Sequence, residues 1–186
     1  MNNLITGLKH SCYQFLFLSV FFFAFFSSCD SPESKGNVTT LFLVRHTEKV
    51  EDTEDDNPEL TERGKERAQE IAVLLEKAEI DALYSTPYVR SIGSLKPLSE
   101  KSAVNINKYD EDLDLRDFIN GILEKHTGER VVIVGHSTTI PGMLNVLMAE
   151  NIYEELEHGR HDDLFQVIIT GNDKVEIIHL KNSTKL

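Results

Sequence analysis

Leu41-Phe42-Leu43-Val44-Arg45-His46 is the stretch on which the fold turns. Four consecutive large apolar residues follow the β-branched pair Thr39-Thr40, making a run too short for a core helix. The run also lacks the alternation of a strand with one wet face. It is the pattern of a strand buried on both faces, as in parallel sheets covered by helices. An arginine and a histidine directly after it stand at its carboxyl end, the edge where open α/β sheets bind ligands.

A second such run, Val131-Val132-Ile133-Val134, leads into Gly135-His136-Ser137. Two buried strands therefore each deliver a histidine to the same edge. Between them the pattern alternates. Leu60-Thr61-Glu62-Arg63-Gly64 opens a helix through about Lys77, with Thr61 as N-cap and Ala68, Ile71, Ala72, Leu74 and Leu75 on its apolar face. Ile80 to Tyr84 predicts a strand, Ser85-Thr86-Pro87 a turn, and a helix starting near Tyr88 places Arg90 in its first turn. Val104 to Tyr109 reads as a third strand and Leu115 to His126 as a helix. Pro141 and Gly142 begin another helix, through about Met148. Leu164 to Thr170 and Val175 to Leu180 form a closing hairpin around Gly171-Asn172-Asp173. Strands alternating with helices predict a three-layer α/β/α sandwich with a mostly parallel central sheet.

Residues 1–28 stand apart from this pattern. Lys9 precedes an apolar run from Cys12 to Phe26 that ends in Ser27-Ser28. The run is shorter than the roughly 20 residues of a spanning helix and has the length and flanks of a signal peptide. Phe26-Ser27-Ser28-Cys29 resembles a bacterial lipobox, which implies lipidation of Cys29 and an exported, membrane-anchored protein at the cell envelope. Residues 29–37 read as a polar tether, and 38–186 as one domain. Cys12 and Cys29 are the only cysteines, so the domain has no disulfide framework. Beyond residue 28 there remain 18 basic and 31 acidic residues, a net charge of −13. That balance argues against nucleic acid as a partner and requires any anion site to be a local basic pocket.

A phosphoryl group needs fork-shaped cationic donors and a nucleophile, and a neutral imidazole nitrogen can be that nucleophile. Arg45 and Arg90 are candidate donors, His46 the candidate nucleophile, and His136 a further donor to a phosphoryl oxygen. Four motifs in order carry a resemblance to the histidine phosphatase superfamily, with its phosphoglycerate mutase-like fold. They are Leu43-Val44-Arg45-His46-Thr47-Glu48-Lys49, Leu60-Thr61-Glu62-Arg63-Gly64, Tyr84-Ser85-Thr86-Pro87 with Arg90, and Val134-Gly135-His136-Ser137. The resemblance implies a transient phosphohistidine on His46 and a phosphate clamp of Arg45, Arg90 and His136. It also implies hydrolysis of a small phosphorylated substrate by a monomer, without metal or cofactor. Two departures from the family pattern stand out. Ser91-Ile92-Gly93-Ser94 replaces the usual Thr, Gln, Thr and Ala, with Gly93 lowering helix propensity by up to about 1 kcal/mol. Thr138 stands where relatives often carry asparagine.

The leaving group also needs an acid opposite the nucleophile. Asp110, following the third strand, is favoured as proton donor, with Glu48 as the alternative and Glu111, Asp112 and Asp114 crowding the same region. The acidic run Glu51 to Asp56 reads as a solvated loop. His158-Gly159-Arg160-His161-Asp162-Asp163 reads as the loop into the final hairpin, lacking a third ligand for a metal site. Alternatives within the same reading are a catalytically impaired phosphate-ester-binding lipoprotein and a phosphohistidine phosphatase. A mutase is disfavoured by the absence of long insertions.

Overall fold

The computed structural model describes residues 38–51, 53–171 and 174–181; the expected leader, Cys29, the tether and the hairpin tip at Asn172 and Asp173 lie outside the described residues. The strands are β1 (Val38–Arg45), β2 (Ala82–Ser85), β3 (Ile106–Lys108), β4 (Arg130–Gly135), β5 (Asp163–Thr170) and β6 (Val175–Lys181). The helices are α1 (Glu62–Leu75), α2 (Val89–Ser102), α3 (Leu115–Lys125) and α4 (Thr139–Met148). The strands form one sheet in the order β3-β2-β4-β1-β5-β6.

β1 and β4 are continuous apolar runs because both faces of the sheet are covered. Leu41, Leu43, Val131 and Ile133 pack with Ile119 and Ile122 of α3 and Ile140, Met143 and Leu144 of α4. The alternate residues Phe42, Val44, Val132 and Val134 pack with Ile71, Ala72 and Leu75 of α1 and Leu95 and Leu98 of α2. Each such burial contributes roughly 1.5–3 kcal/mol, so these two central strands hold the three layers together. β1 and β4 pair in parallel with Arg45 opposite Gly135, and the His46 amide donates to the Gly135 carbonyl at 2.9 Å. The two strand-end histidines thus leave neighbouring strands at the same level.

Helix α1 starts as its sequence predicts, with the Thr61 hydroxyl accepting from the Gly64 amide at 3.0 Å. Its apolar stripe is narrower than expected: Leu74 is 51% exposed, because it lies at the border of the buried arc. Gly64 is required there, since a Cβ would overlap the Glu48 carbonyl oxygen. Among the described residues no helix is long and apolar enough to cross a membrane.

The sheet is less parallel than expected. β3, β2, β4 and β1 run in parallel, whereas β5 is antiparallel to β1 and β6 to β5. The β5–β6 connection is too short for a crossover and imposes a hairpin. For β5 the reason is the path of residues 149–162. After α4 the chain climbs back to the edge that carries the histidines, where the Leu156 amide donates to the Ser137 carbonyl at 3.0 Å. β5 therefore starts at that edge and descends, with Leu164 beside Val44.

Candidate active site

His46, His136, Arg45 and Arg90 converge at the carboxyl ends of β1 and β4 and the start of α2. The His46 and His136 rings lie 5.4 Å apart, edge to face. His46 is 3% exposed, and its Nδ1–H donates to the Thr47 carbonyl at 2.9 Å. That bond fixes the tautomer and leaves Nε2 with its lone pair free. Burial, followed by the charges of His136, Arg45 and Arg90, lowers its pKa to about 3, so the imidazole is neutral and nucleophilic at ordinary pH.

His136 Nε2 lies 3.0 Å from Thr86 Oγ1. Thr86 donates its own hydroxyl hydrogen to Ser91 at 2.8 Å, so its oxygen is free to accept from His136 Nε2–H. Gly135 makes this position possible: a Cβ there would stand 2.5 Å from Thr139 Oγ1, the atom that accepts from the His136 amide at 2.8 Å. His136 is also held below its ordinary pKa, chiefly by burial and then by Arg90 and Arg45, with Glu111 opposing them.

Arg45 is 6% exposed and its Nη1 donates to the main-chain carbonyls of Glu157, His158 and Arg160 at 2.9, 3.0 and 3.0 Å. Carbonyl dipoles orient the guanidinium without cancelling its charge, as a carboxylate would. Arg90 lies over the Tyr88 ring, 4.1 Å from its centroid. The Nε atoms of Arg45 and Arg90 are buried without a hydrogen-bond partner among the described residues. Two cationic N–H donors are thereby left for an anion.

The carboxylate that reaches this centre is Glu111. Its Oε2 is 3.1 Å from His136 Nε2, and its Oε1 accepts a short hydrogen bond from the Tyr88 hydroxyl. Asp110, favoured from sequence, is exposed, and its Oδ1 accepts from the Asp112 amide at 3.1 Å. It is a turn residue. Strand β3 stops at Lys108, Tyr109 turns inward to donate to the Val134 carbonyl at 3.0 Å, and alternation sends Asp110 outward. Glu48 is equally unsuited to donate a proton. Arg67 grips both its oxygens, at 2.7 to 3.0 Å. Burial pushes the Glu48 carboxyl up, yet the Arg67 hydrogen bonds and charge outweigh it and hold the group below its ordinary pKa. Asp114 caps α3.

Sequence reasoning missed the support around these groups. The segment after Arg90 is part of it. Ser94 Oγ accepts from the Thr47 amide at 2.8 Å and donates to the Arg90 carbonyl at 2.8 Å, and Gly93 brings α2 against Leu60. The departures from the family pattern at Ser91 and Ser94 thus have hydrogen-bonding roles of their own. His161 lies in the loop expected before the final hairpin, yet it is 7% exposed, and its Nδ1 meets the His46 carbonyl at 2.8 Å. Among the described residues no group of three or more His, Cys, Asp or Glu side chains is arranged to hold a metal ion.

Residues 41–116 match the sequence profile of the histidine phosphatase superfamily (branch 1). A comparison with curated protein sequences finds no match. Among solved structures, a variant of phosphoserine phosphatase from Entamoeba histolytica in complex with phosphoserine is similar. It has TM-score 0.60 and 16% identity, covering 79% of this chain and 98% of that one. The mycobacterial glucosyl-3-phosphoglycerate phosphatase has TM-score 0.64 and 14% identity, covering 78% and 100%. A protein histidine phosphatase complexed with tungstate has TM-score 0.58 and 15% identity, covering 77% and 97%. At these identities the likeness establishes the fold, the phosphoglycerate mutase-like α/β architecture expected from the motifs.

The neutral imidazoles carry a consequence for stability. His46, His136 and His161 are all held below their ordinary pKa, each chiefly by burial. The unfolded chain therefore binds more protons than the folded one between the ordinary value near 6.5 and, for His46, about 3. Stability is present above that window and is lost as pH falls through it. Urea unfolding at pH 7.5 and pH 5 should show a marked loss for the parent. The loss should be smaller in His46→Gln by up to about 1.4 kcal/mol per pH unit. Equal pH slopes in the two proteins would refute a buried neutral His46.

Proposed function

We propose that this chain is a member of the histidine phosphatase superfamily and hydrolyses a small phosphomonoester through a phosphohistidine on His46. The observation that carries this reading is the His46 imidazole, neutral and with Nε2 free, beside His136 and two guanidinium groups whose Nε–H donors lack partners among the described residues. The profile match over residues 41–116 supports it.

In the first step Nε2 of His46 attacks phosphorus and the ester P–O bond breaks. The Arg45 and Arg90 donors stabilise charge on the phosphoryl oxygens, joined by His136 Nε2–H as it exchanges Thr86 Oγ1 for a phosphoryl oxygen. Glu111 acts as general acid and gives a proton to the departing alkoxide. In the second step the Glu111 carboxylate takes a proton from water as that water attacks phosphorus. The P–N bond breaks, inorganic phosphate leaves, and neutral His46 and protonated Glu111 are restored. These side chains supply every group the two steps require, so turnover is expected to persist in excess chelator.

The acid's role has a specific signature. Glu111→Gln should lower kcat/KM for an alkyl phosphate by roughly a hundredfold or more, but by less than about tenfold for p-nitrophenyl phosphate, whose leaving group needs no proton. Asp110→Asn should change both by no more than about twofold. Equal losses on the two esters in Glu111→Gln, or a leaving-group-dependent loss in Asp110→Asn, would reverse the assignment.

We further propose that the protein works at the cell envelope on a lipid anchor at Cys29, supported by the apolar run Cys12 to Phe26, the small residues before Cys29 and the polar stretch after it. Metabolic labelling with a palmitate analogue should mark the full chain and leave Cys29→Ser unmarked. Label retained in that variant would refute the anchor.

A further inference from the structure

Segment 157–161 lies more than a hundred residues from the β1 motif in sequence, yet it makes four hydrogen bonds to Arg45 and His46. Three main-chain carbonyls, those of Glu157, His158 and Arg160, accept from Arg45 Nη1. The fourth bond joins His161 Nδ1 to the His46 carbonyl at 2.8 Å. A carbonyl can only accept, so His161 Nδ1 carries the hydrogen. The His161 ring also packs on the nucleophile, tilted, with centroids 5.5 Å apart.

The segment is itself tied down at both ends. The Leu156 amide donates to the Ser137 carbonyl at 3.0 Å, and Ser137 Oγ donates to Glu155 at 2.9 Å. At the other end Arg160 Nη2 donates to Asp163 Oδ1 at 2.9 Å, and His179 Nε2 meets the same oxygen at 2.6 Å. The segment is thus braced between the His136 loop and β5.

Nη1 of an arginine has two hydrogens, and three carbonyls share them, so this nitrogen has none left for a ligand. What remains of the fork is its other edge, and there Nε is buried with no partner among the described residues. Resting on the phosphatase reading above, we propose that residues 157–161 form a positioning strap for the phosphoryl pocket. The strap's carbonyls consume Nη1 and turn the Nε edge of Arg45 toward the phosphoryl group. His161, a positioning residue, locks the backbone of the nucleophile to the strap through its Nδ1–H donor.

The donor can be removed and put back. His161→Leu deletes it, His161→Asn restores an N–H at the Nδ1 position, and His161→Gln places its N–H at the Nε2 position instead. Steady-state hydrolysis of p-nitrophenyl phosphate and inhibition by orthovanadate, a mimic of the transferring phosphoryl group, are measured in the full chain with each variant. In His161→Leu and His161→Gln, kcat/KM and vanadate affinity should fall together, on the order of tenfold to a hundredfold. In His161→Asn both should return to within about threefold of the parent. A purely structural role would instead track the thermal midpoint and would not separate Asn from Gln. Parent-like values in His161→Leu, or equal losses in the Asn and Gln variants, overturn the strap with the phosphatase reading intact. A parent that neither hydrolyses the ester nor binds vanadate overturns both.

Discussion

The register between β1 and β4, with Arg45 opposite Gly135, is the constraint from which the histidine-bearing edge follows. Both strands are buried on two faces, so a slip of one residue would exchange the whole set Leu41, Leu43, Val131 and Ile133 with Phe42, Val44, Val132 and Val134. Packing against two helical layers forbids that. The same register brings His46 and His136 out side by side and joins them through the His46 amide and the Gly135 carbonyl. Precision at the site is inherited from apolar packing well below it.

The second constraint is electrostatic. A protein with net charge −12 holds a cationic pocket, and it does so by burying the Arg45 guanidinium and the Nε of Arg90, neither arginine carrying a carboxylate partner among the described residues. Arg45 is held by main-chain carbonyls and Arg90 by the face of Tyr88. Both keep their charge available, whereas Arg67, paired to Glu48, is spent on structure. The imidazoles meet the opposite requirement. Burial among these cations keeps them neutral, so the proposed nucleophile needs no deprotonation. The antiparallel β5 belongs to the same design, because only a chain that climbs back to this edge before descending can lay its carbonyls on Arg45.

Much of this was legible in the sequence because it is local. The apolar runs at 41–44 and 131–134, the Thr61 cap and the histidines after the strands follow from residue periodicity and turn chemistry. What escaped was nonlocal or hung on a single step of alternation. The carboxylate that reaches the centre lies one residue past the one favoured from sequence: Tyr109, a large ring that must be buried, sends Asp110 out and Glu111 back in. That ring was the signal. The strap had no comparable signal. His161 contacts His46 across 115 positions, and its only local trace was the unusual His158-Gly159-Arg160-His161 run. Ser91 and Ser94 read from sequence only as departures from the family pattern, because a local pattern does not register hydrogen bonds to another segment.

The central claim is that phosphorus becomes bonded to the His46 nitrogen during turnover. Mixing the parent protein with excess p-nitrophenyl phosphate, quenching in alkali within the first turnovers and mapping the peptides by mass spectrometry tests it directly. The account predicts an acid-labile, alkali-stable phosphate on His46 that disappears in His46→Gln along with turnover. Phosphate release that persists in His46→Gln, or a covalent phosphate found on His136 or His161 instead, would contradict it.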